Sequence, residues 1–397
     1  MVESTLIISV IGVIIILGTL FLLLSDKKRI PLVIPLLILG IFLGPITGIF
    51  DPVQFSEVIK VLVSFALVIV IFEAGNTVST YTLKQQWKVF FTMSLIGPAL
   101  IISLVSLFSY VFLGLRPELA VLLGALLAST DTTIMRPILE SFEKRFTRIK
   151  SIVNLESTFN SVVAVTIVII VSNLVKFKET TSLFGALEVF TYHTFLGVGM
   201  GVFFGYVIYT ITCKFKEELK THILVLGAIL LLYGATKAIG GSGIISVLVL
   251  GIIFANMKPA PPRIIKSFGG DLEVLLLIFA YVILGTYLGI SLTFVNIVTI
   301  LFITILVILS RYLTVYLSSN AETKEEARIL FLGGGKGIVC AVLALSSAPL
   351  FPNPELILNI VFSVIFVTTI LASITPFYLQ KLEKKQNLKL KKTSKKN

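Results

Sequence analysis

Thirteen apolar stretches of helix length divide this chain of 397 residues. They cover roughly 4–24, 30–44, 57–77, 88–114, 118–139, 152–175, 189–213, 219–236, 242–257, 271–290, 292–319, 327–348 and 355–380. Crossing the hydrocarbon core of a bilayer takes about 20 residues of helix. The stretches are rich in Ile, Leu, Val and Phe throughout and lack the alternation of a barrel strand. We therefore predict an all-α polytopic membrane protein with about 13 transmembrane helices.

The scarcity of charge excludes a soluble protein. Only 14% of the residues are charged, whereas soluble domains contain about 25%. No zinc-protease motif or catalytic triad is evident, and the GGGKG run around Lys336 lacks the strand context and the following Ser or Thr of a phosphate-binding loop. We expect a protein that is not an enzyme, has no cofactor and does not bind nucleic acid.

The basic residues predict the orientation. If the N-terminus is outside, 25 of the 33 Lys and Arg residues fall on the inner side, and each inner loop outweighs its outer neighbours. Such an excess is typical of cytoplasmic loops. We predict a multi-pass protein of the cell membrane with a cytoplasmic C-terminus, and a Lys-rich tail over 381–397 on anionic lipid. We expect neither a cleaved signal peptide nor a large soluble regulatory domain.

Five charged residues lie away from the ends of predicted spans: Glu73, Asp131, Glu156, Arg311 and Lys336. Charge inside a bilayer is costly, so each of these residues is a candidate for function. The alternative is a set of structural ion pairs that hold helices together. Three carboxylates and two cations are more than such packing needs, which favours a functional role for some of them.

Two spans carry signs of interruption. The fifth contains the polar run Ser129–Thr133 followed by Pro137, and the twelfth has four Gly around Lys336. These spans are seven apart in order, so they cross the membrane in opposite directions, as in inverted repeats with spans 4–6 mirrored by spans 11–13. Paired broken helices indicate a transport site at the membrane midplane. The alternative is two unrelated packing faces.

The sixth span carries an oxygen-rich stripe. Glu156 and Asn160 are four residues apart on one face of the predicted helix, and Ser157 and Ser161 lie beside them with the same spacing. Carboxylate, hydroxyl and amide oxygens are suitable ligands for a hard monovalent cation. Hydrogen bonding between helices is the alternative explanation.

Several segments carry a family likeness over essentially the whole chain. They are Phe72-Glu73-Ala74-Gly75, Ser129-Thr130-Asp131, Glu156-Ser157-Thr158-Phe159-Asn160, Arg311-Tyr312 with Val315-Tyr316, and Gly335-Lys336-Gly337. In these segments the chain resembles the monovalent cation/proton antiporters of the NhaP/NHE branch. It departs from that pattern in three places: Ser161 stands where the family has the Asp of its Asn-Asp pair, Thr132 where it has Pro, and Lys336 where it has Arg.

The resemblance implies a two-part architecture with two broken helices that cross near the middle of the membrane. Segments 1–80 and 219–290 would form a scaffold that dimerises, 86–176 and 292–380 a moving core, and 189–213 a linker helix. The protein would be a homodimer that exchanges sodium, or potassium or lithium, for protons by alternating access.

The resemblance also implies roles for individual residues. Glu156 and Arg311 would form a structural ion pair, and Lys336 would be the charge of the second broken helix. The residues at or beside the ion would be Asp131, Glu73, Ser157, Thr130 through its carbonyl, Asn160 and Ser161. Asp131 is the best candidate for the ion and proton carrier, with Glu73 second. Because Ser161 replaces the family's Asp, a decoupled channel or uniporter and a non-transporting scaffold remain alternatives.

Overall fold

The computed structural model describes residues 4–28, 33–52, 54–76, 91–130, 147–176, 183–214, 218–256, 263–287, 294–318 and 324–375. Within these ranges the regular structure is helical and no strand occurs. In chain order, the first seven α-helices of the described residues are α1 Ser4–Lys28, α2 Val33–Ile41, α3 Ser56–Asn76, α4 Gly97–Phe112, α5 Pro117–Leu126, α6 Thr147–Lys176 and α7 Leu183–Lys214. The next seven are α8 Glu218–Ala238, α9 Gly243–Asn256, α10 Arg263–Thr286, α11 Phe294–Leu317, α12 Lys324–Leu332, α13 Ile338–Ser347 and α14 Pro354–Ser373.

Most helices follow the apolar stretches, and their ends depart from them for local reasons. α10 begins at Arg263, before the apolar stretch that starts at 271. The second stretch continues beyond α2 as a single wide turn, Phe42–Ile46, which contains Pro45. Proline has no N–H to donate to the helix ladder, which accounts for the distortion there.

Five helical segments in the described part of the chain are long and apolar enough to cross a bilayer: Ile7–Leu24, Thr92–Phe112, Thr191–Thr212, Asn296–Leu317 and Pro354–Ser373. Other apolar helices have 10–17 residues. The surface carries many exposed large apolar side chains, among them Ile16, Phe195 and Tyr316. So much exposed apolar surface does not suit water and does suit lipid, so the architecture is that of a multi-pass membrane protein.

Burial separates peripheral helices from central ones. Only 17% of the apolar segment Ile7–Leu24 of α1 is buried, against 61% of Pro354–Ser373 in α14. The most enclosed helices are α5, buried from Leu122 to Leu126, and α13, buried from Ile338 to Ala344. Both are short and both adjoin irregular backbone at Leu127–Thr130 and Gly333–Gly337. One end of each of these two helices therefore lies inside the protein.

Two pairs of helices cross at reciprocal glycines. Gly40 of α2 faces Gly285 of α10, and Gly75 of α3 faces Gly251 of α9. A methyl group on any of the four would overlap a carbonyl oxygen of the opposite helix. Glycine at these positions allows direct contact between backbones, as in other membrane helix pairs.

We expect Gly251→Ala to lower the melting temperature in detergent, because the added methyl overlaps the Phe72 carbonyl and overpacking costs about 1–3 kcal/mol. Gly227→Ala on α8 is the matched control. A methyl there meets nothing within 4 Å, so only the better helix propensity of Ala remains, about 1 kcal/mol. Equal melting temperatures for the two variants would contradict the close crossing.

Candidate functional site

Hydroxyls of α6 bind the backbone just beyond the end of α5. α5 stops at Leu126, and the backbone over Leu127–Thr130 is buried but not helical. Carbonyls beyond a helix end have no partner within the helix. The Thr130 carbonyl accepts hydrogen bonds from the Ser157 hydroxyl at 2.9 Å and the Ser161 hydroxyl at 3.3 Å. Two side chains of α6 therefore hold the backbone beyond α5 in place.

The same face of α6 makes three further contacts. Ser161 Oγ lies 2.9 Å from Ser129 Oγ. The Asn160 amide nitrogen donates to Thr130 Oγ1 at 3.1 Å and to Glu156 Oε1 at 3.2 Å. We call the oxygens of Ser129, Thr130, Ser157, Asn160 and Ser161 the oxygen cluster. All five residues are buried.

One oxygen of the oxygen cluster is an acceptor that receives no hydrogen bond from the described residues. Asn160 is 2% exposed, and its side-chain oxygen Oδ1 has no hydrogen-bond partner among the described residues. A buried carbonyl oxygen without a donor costs about 1–3 kcal/mol. Such an oxygen is suited to receive a cation or a proton donor.

A buried ion pair lies beside the cluster. Both guanidinium Nη atoms of Arg311 contact the carboxylate of Glu156, with Nη2 at 3.1 Å from Oε2. Arg311 also donates from Nε to the Leu330 carbonyl at 3.1 Å. This carbonyl lies in the last turn of α12, which ends at Leu332, where carbonyls lack partners within the helix. A methyl group on Gly334 would overlap the Arg311 side chain. The ion pair therefore connects α6, α11 and the end of α12.

The interruption between α12 and α13 buries a lysine. The backbone N–H of Lys336 donates to Thr368 Oγ1 on α14 at 3.1 Å. One turn later, the Cys340 thiol lies 3.5 Å from the Ser129 carbonyl. This contact places the start of α13 against the end of α5. A cavity of about 20 Å³, lined by Arg311, Gly334 and Thr368 among others, adjoins the interruption and has room for about one water molecule.

The residues predicted from the sequence fall into three groups. Thr130, Ser157, Asn160 and Ser161 are in direct contact, next to the pair of Glu156 and Arg311, and Lys336 is in the glycine-rich interruption. Glu73 is half-buried near the end of α3, which packs against α6 and α13. Asp131 lies outside the described residues, immediately after Thr130.

The sequence reasoning did not identify the Leu330 carbonyl or Thr368 as partners. Thr368 had a usable signal, since Thr368-Thr369 is a polar pair in an otherwise apolar stretch. The Leu330 carbonyl had none, because a backbone atom carries no residue identity. Chemically, the buried hydroxyl, carbonyl and amide oxygens are of the ligand type that a hard cation prefers.

Comparison with known proteins identifies the family of the chain. Residues 12–381 match the family model described as "Sodium/hydrogen exchanger, transmembrane". The chain is 23% identical over 376 residues to the low-affinity Na(+)/H(+) antiporter NhaS1 of Synechocystis sp., covering 89% of this chain and 71% of that protein. It is 26% identical over 374 residues to the K(+)/H(+) antiporter NhaP of Alkalimonas amylolytica, covering 91% of this chain and 64% of that protein.

The fold is similar to that of a solved structure. The sodium proton antiporter MjNhaP1 from Methanocaldococcus jannaschii superposes with a TM-score of 0.79 at 21% identity, over 94% of this chain and 99% of that chain. The likeness concerns the arrangement of helices. It supports an all-helical polytopic membrane architecture for the described part of the chain.

We expect Arg311→Met to destabilise the protein by about 3–5 kcal/mol, because it leaves the Glu156 carboxylate buried without a counter-charge. The double variant Glu156→Leu with Arg311→Met removes both charges and should recover part of that loss. Thermal unfolding in detergent measures both effects.

Lys60→Met is the control for the ion-pair comparison. Lys60 pairs with Glu57 at 2.6 Å, but their side chains are 70% and 83% exposed, so the loss should be about 0–1 kcal/mol. A loss from Arg311→Met as small as that from Lys60→Met would contradict a structural role for the buried pair.

Proposed function

Because the chain belongs to the sodium/hydrogen exchanger family, we propose that it exchanges a monovalent cation, sodium first, for protons across the cell membrane by alternating access. The observation that carries this proposal is the oxygen cluster. Hydroxyls of α6 converge on the carbonyl of Thr130 where α5 ends, inside a protein with a lipid-facing surface. Relatives named as Na(+)/H(+) and as K(+)/H(+) antiporters make potassium the second candidate cation.

In this proposal the cation binds at the oxygen cluster together with carboxylates from two other segments. Asp131 follows Thr130 directly and is the carrier for which cation and proton compete, with Glu73 of α3 as the second carboxylate. Ser157 and the Thr130 carbonyl supply neutral ligands, and Asn160 Oδ1 is a further acceptor. Ser161 supplies a hydroxyl in place of a carboxylate, so the site carries one negative charge fewer than the family pattern.

Exchange follows from the cost of unneutralised charge in the membrane. A carboxylate can hold a proton or a metal cation, and a bare one in the interior costs several kcal/mol. If the core moves only when that charge is neutralised, it crosses loaded with one ion or the other. Coupling then needs no further machinery.

We also propose inverted repeats for the whole chain, with a scaffold of spans 1–3 and 8–10 and a core of spans 4–6 and 11–13. In that symmetry α2 corresponds to α9, and α3 to α10. The crossing of Gly40 with Gly285 then becomes the crossing of Gly251 with Gly75. The local sequences agree, since Leu39-Gly40-Ile41 matches Leu250-Gly251-Ile252.

The interruptions at Leu127–Thr130 and Gly333–Gly337 would be the paired breaks of the two core repeats. Their contact through Cys340 and Ser129 supports broken helices that cross. By the same proposal α7 links the two parts, the scaffold forms a homodimer, the N-terminus is outside and the basic segment 381–397 is cytoplasmic.

We expect Asp131→Asn to abolish exchange in proteoliposomes, because the amide cannot exchange a proton for a cation. Ser161→Asp should strengthen cation binding roughly tenfold or more, since it adds a negative charge beside the cluster. The measurement is dye-monitored proton flux with sodium and potassium offered in turn, and the apparent KM for each cation.

Ser346→Asn on the exposed side of α13 is the control for reconstitution and should exchange like the wild type. Wild-type exchange by Asp131→Asn would remove Asp131 as the carrier. Cation flux without proton movement in the wild-type protein would favour a channel or uniporter instead.

A further inference from the structure

Two buried serines outside the oxygen cluster lie where α4 and α11 come together. Ser94 belongs to the turn that precedes α4, and Ser318 directly follows α11. Each residue is 1% exposed, and neither hydroxyl has a hydrogen-bond partner among the described residues. A buried hydroxyl without a partner is unfavourable, so the surroundings of both groups are informative.

The backbone around Ser94 departs from an α-helix because of a proline. Residues Thr92–Ile96 form a wide turn, in which the N–H of Gly97 donates to the Thr92 carbonyl. Pro98, in the first turn of α4, has no N–H for the Ser94 carbonyl four residues before it. Wide turns within helices are frequent at functional sites. The sequence therefore places an irregular turn where Ser94 is buried.

Two contacts fix how α4 and α11 pair. A methyl group on Gly97 would lie 3.1 Å from Thr314 Cγ2, so these two residues face each other. Further along α4, the ring of Phe108 stacks on that of Phe302, with centroids 5.4 Å apart. Because Phe302 comes before Thr314 in the chain while Phe108 comes after Gly97, the two helices run antiparallel.

The two serines are displaced from the first of these contacts in the same direction. Ser94 is three residues before Gly97, and Ser318 is four residues after Thr314, which is about one helical turn in each case. The turn Thr92–Ile96 packs against both α11 and α6. The two buried hydroxyls therefore lie at about the same level, in the junction of α4, α6 and α11.

The groups at this junction suit a small neutral ligand. Thr314 Oγ1 donates its hydrogen to the Ser310 carbonyl at 2.8 Å and keeps its lone pairs as acceptors. A water molecule can accept from both serine hydroxyls and donate to Thr314 Oγ1, and buried water makes about three hydrogen bonds. Ser94, Thr314 and Ser318 carry no charge that would balance an ion in a buried site.

We propose that Ser94, Thr314 and Ser318 bind a water molecule that bridges α4 and α11. The site is separate from the oxygen cluster, and the proposal does not depend on cation/proton exchange. In the repeat symmetry proposed above, α4 and α11 are corresponding helices of the two halves of the core. The water then connects one repeat with the other at the place where Pro98 interrupts the helix ladder.

The test is a double-mutant cycle of thermal unfolding on the purified full chain in detergent. Ser94→Ala and Ser318→Ala each remove one partner of the water and leave the remaining groups unsatisfied. We expect each single variant to melt about 2–4 °C lower than the wild type. The double variant should melt no lower than either single variant, because replacing both partners by apolar groups is nearly neutral.

Ser109→Ala combined with Ser318→Ala is the matched control. Ser109 is buried near the other end of α4, and its hydroxyl also has no partner among the described residues. The shifts of two distant sites should add. Additive shifts for Ser94→Ala and Ser318→Ala, or a higher melting temperature for each of them alone, would indicate a dry contact and overturn the proposal.

Radiolytic labelling with a synchrotron X-ray pulse gives a second readout, because water bound inside a protein produces hydroxyl radicals where it lies. Met93 is next to Ser94 and is 0% exposed, so bulk solvent does not reach it. We expect Met93 to be oxidised in the wild type and several-fold less in the double variant. Equal oxidation in both proteins, or none in the wild type, overturns the proposed water site.

Discussion

Backbone groups released by an interrupted helix inside a bilayer must find partners within the protein, since lipid offers none. The interior of this chain is organised around that constraint. The Thr130 carbonyl is satisfied by hydroxyls of α6, the Leu330 carbonyl by Arg311, and the Lys336 N–H by Thr368. Each of these three backbone groups is paired with a side chain from a different helix, so these bonds connect helices of the bundle.

The groups that satisfy the backbone also create the site. Ser157 and Ser161 bond the Thr130 carbonyl, yet hydroxyl and carbonyl oxygens also have lone pairs that can bind a cation. Glu156 is neutralised by Arg311 and oriented by the Asn160 amide. The buried charge of Glu156 next to the cluster is thereby balanced. Asn160 Oδ1 is left as an acceptor suited to a cation or a proton donor. Structural and functional roles are divided between atoms of the same residues.

Much of this arrangement was predictable from local pattern. The apolar stretches indicated the helices, the glycines around Lys336 indicated the interruption at Gly333–Gly337, and the four-residue spacing of Glu156 and Asn160 indicated one face of α6. What the sequence could not predict were contacts that depend on which helices become neighbours. Ser129 and Ser161, which share a hydrogen bond, are 32 residues apart in the sequence. Gly40 and Gly285, which face each other across two helices, are much farther apart in the sequence. Periodicity along one helix carries no information about its partner.

The reciprocal glycine crossings have a mechanical consequence. Where side chains lie between two helices, they can change rotamer and let the helices shift. At Gly40 and Gly75 the backbones of the two helices are in direct contact. Sliding there would drive Cα atoms against carbonyl oxygens of the opposite helix, with nothing compliant in between. These crossings therefore resist sliding of one helix along the other, both between α2 and α10 and between α3 and α9. Any relative movement of large parts of this protein is directed to interfaces built from side chains, where the short helices α5 and α13 lie.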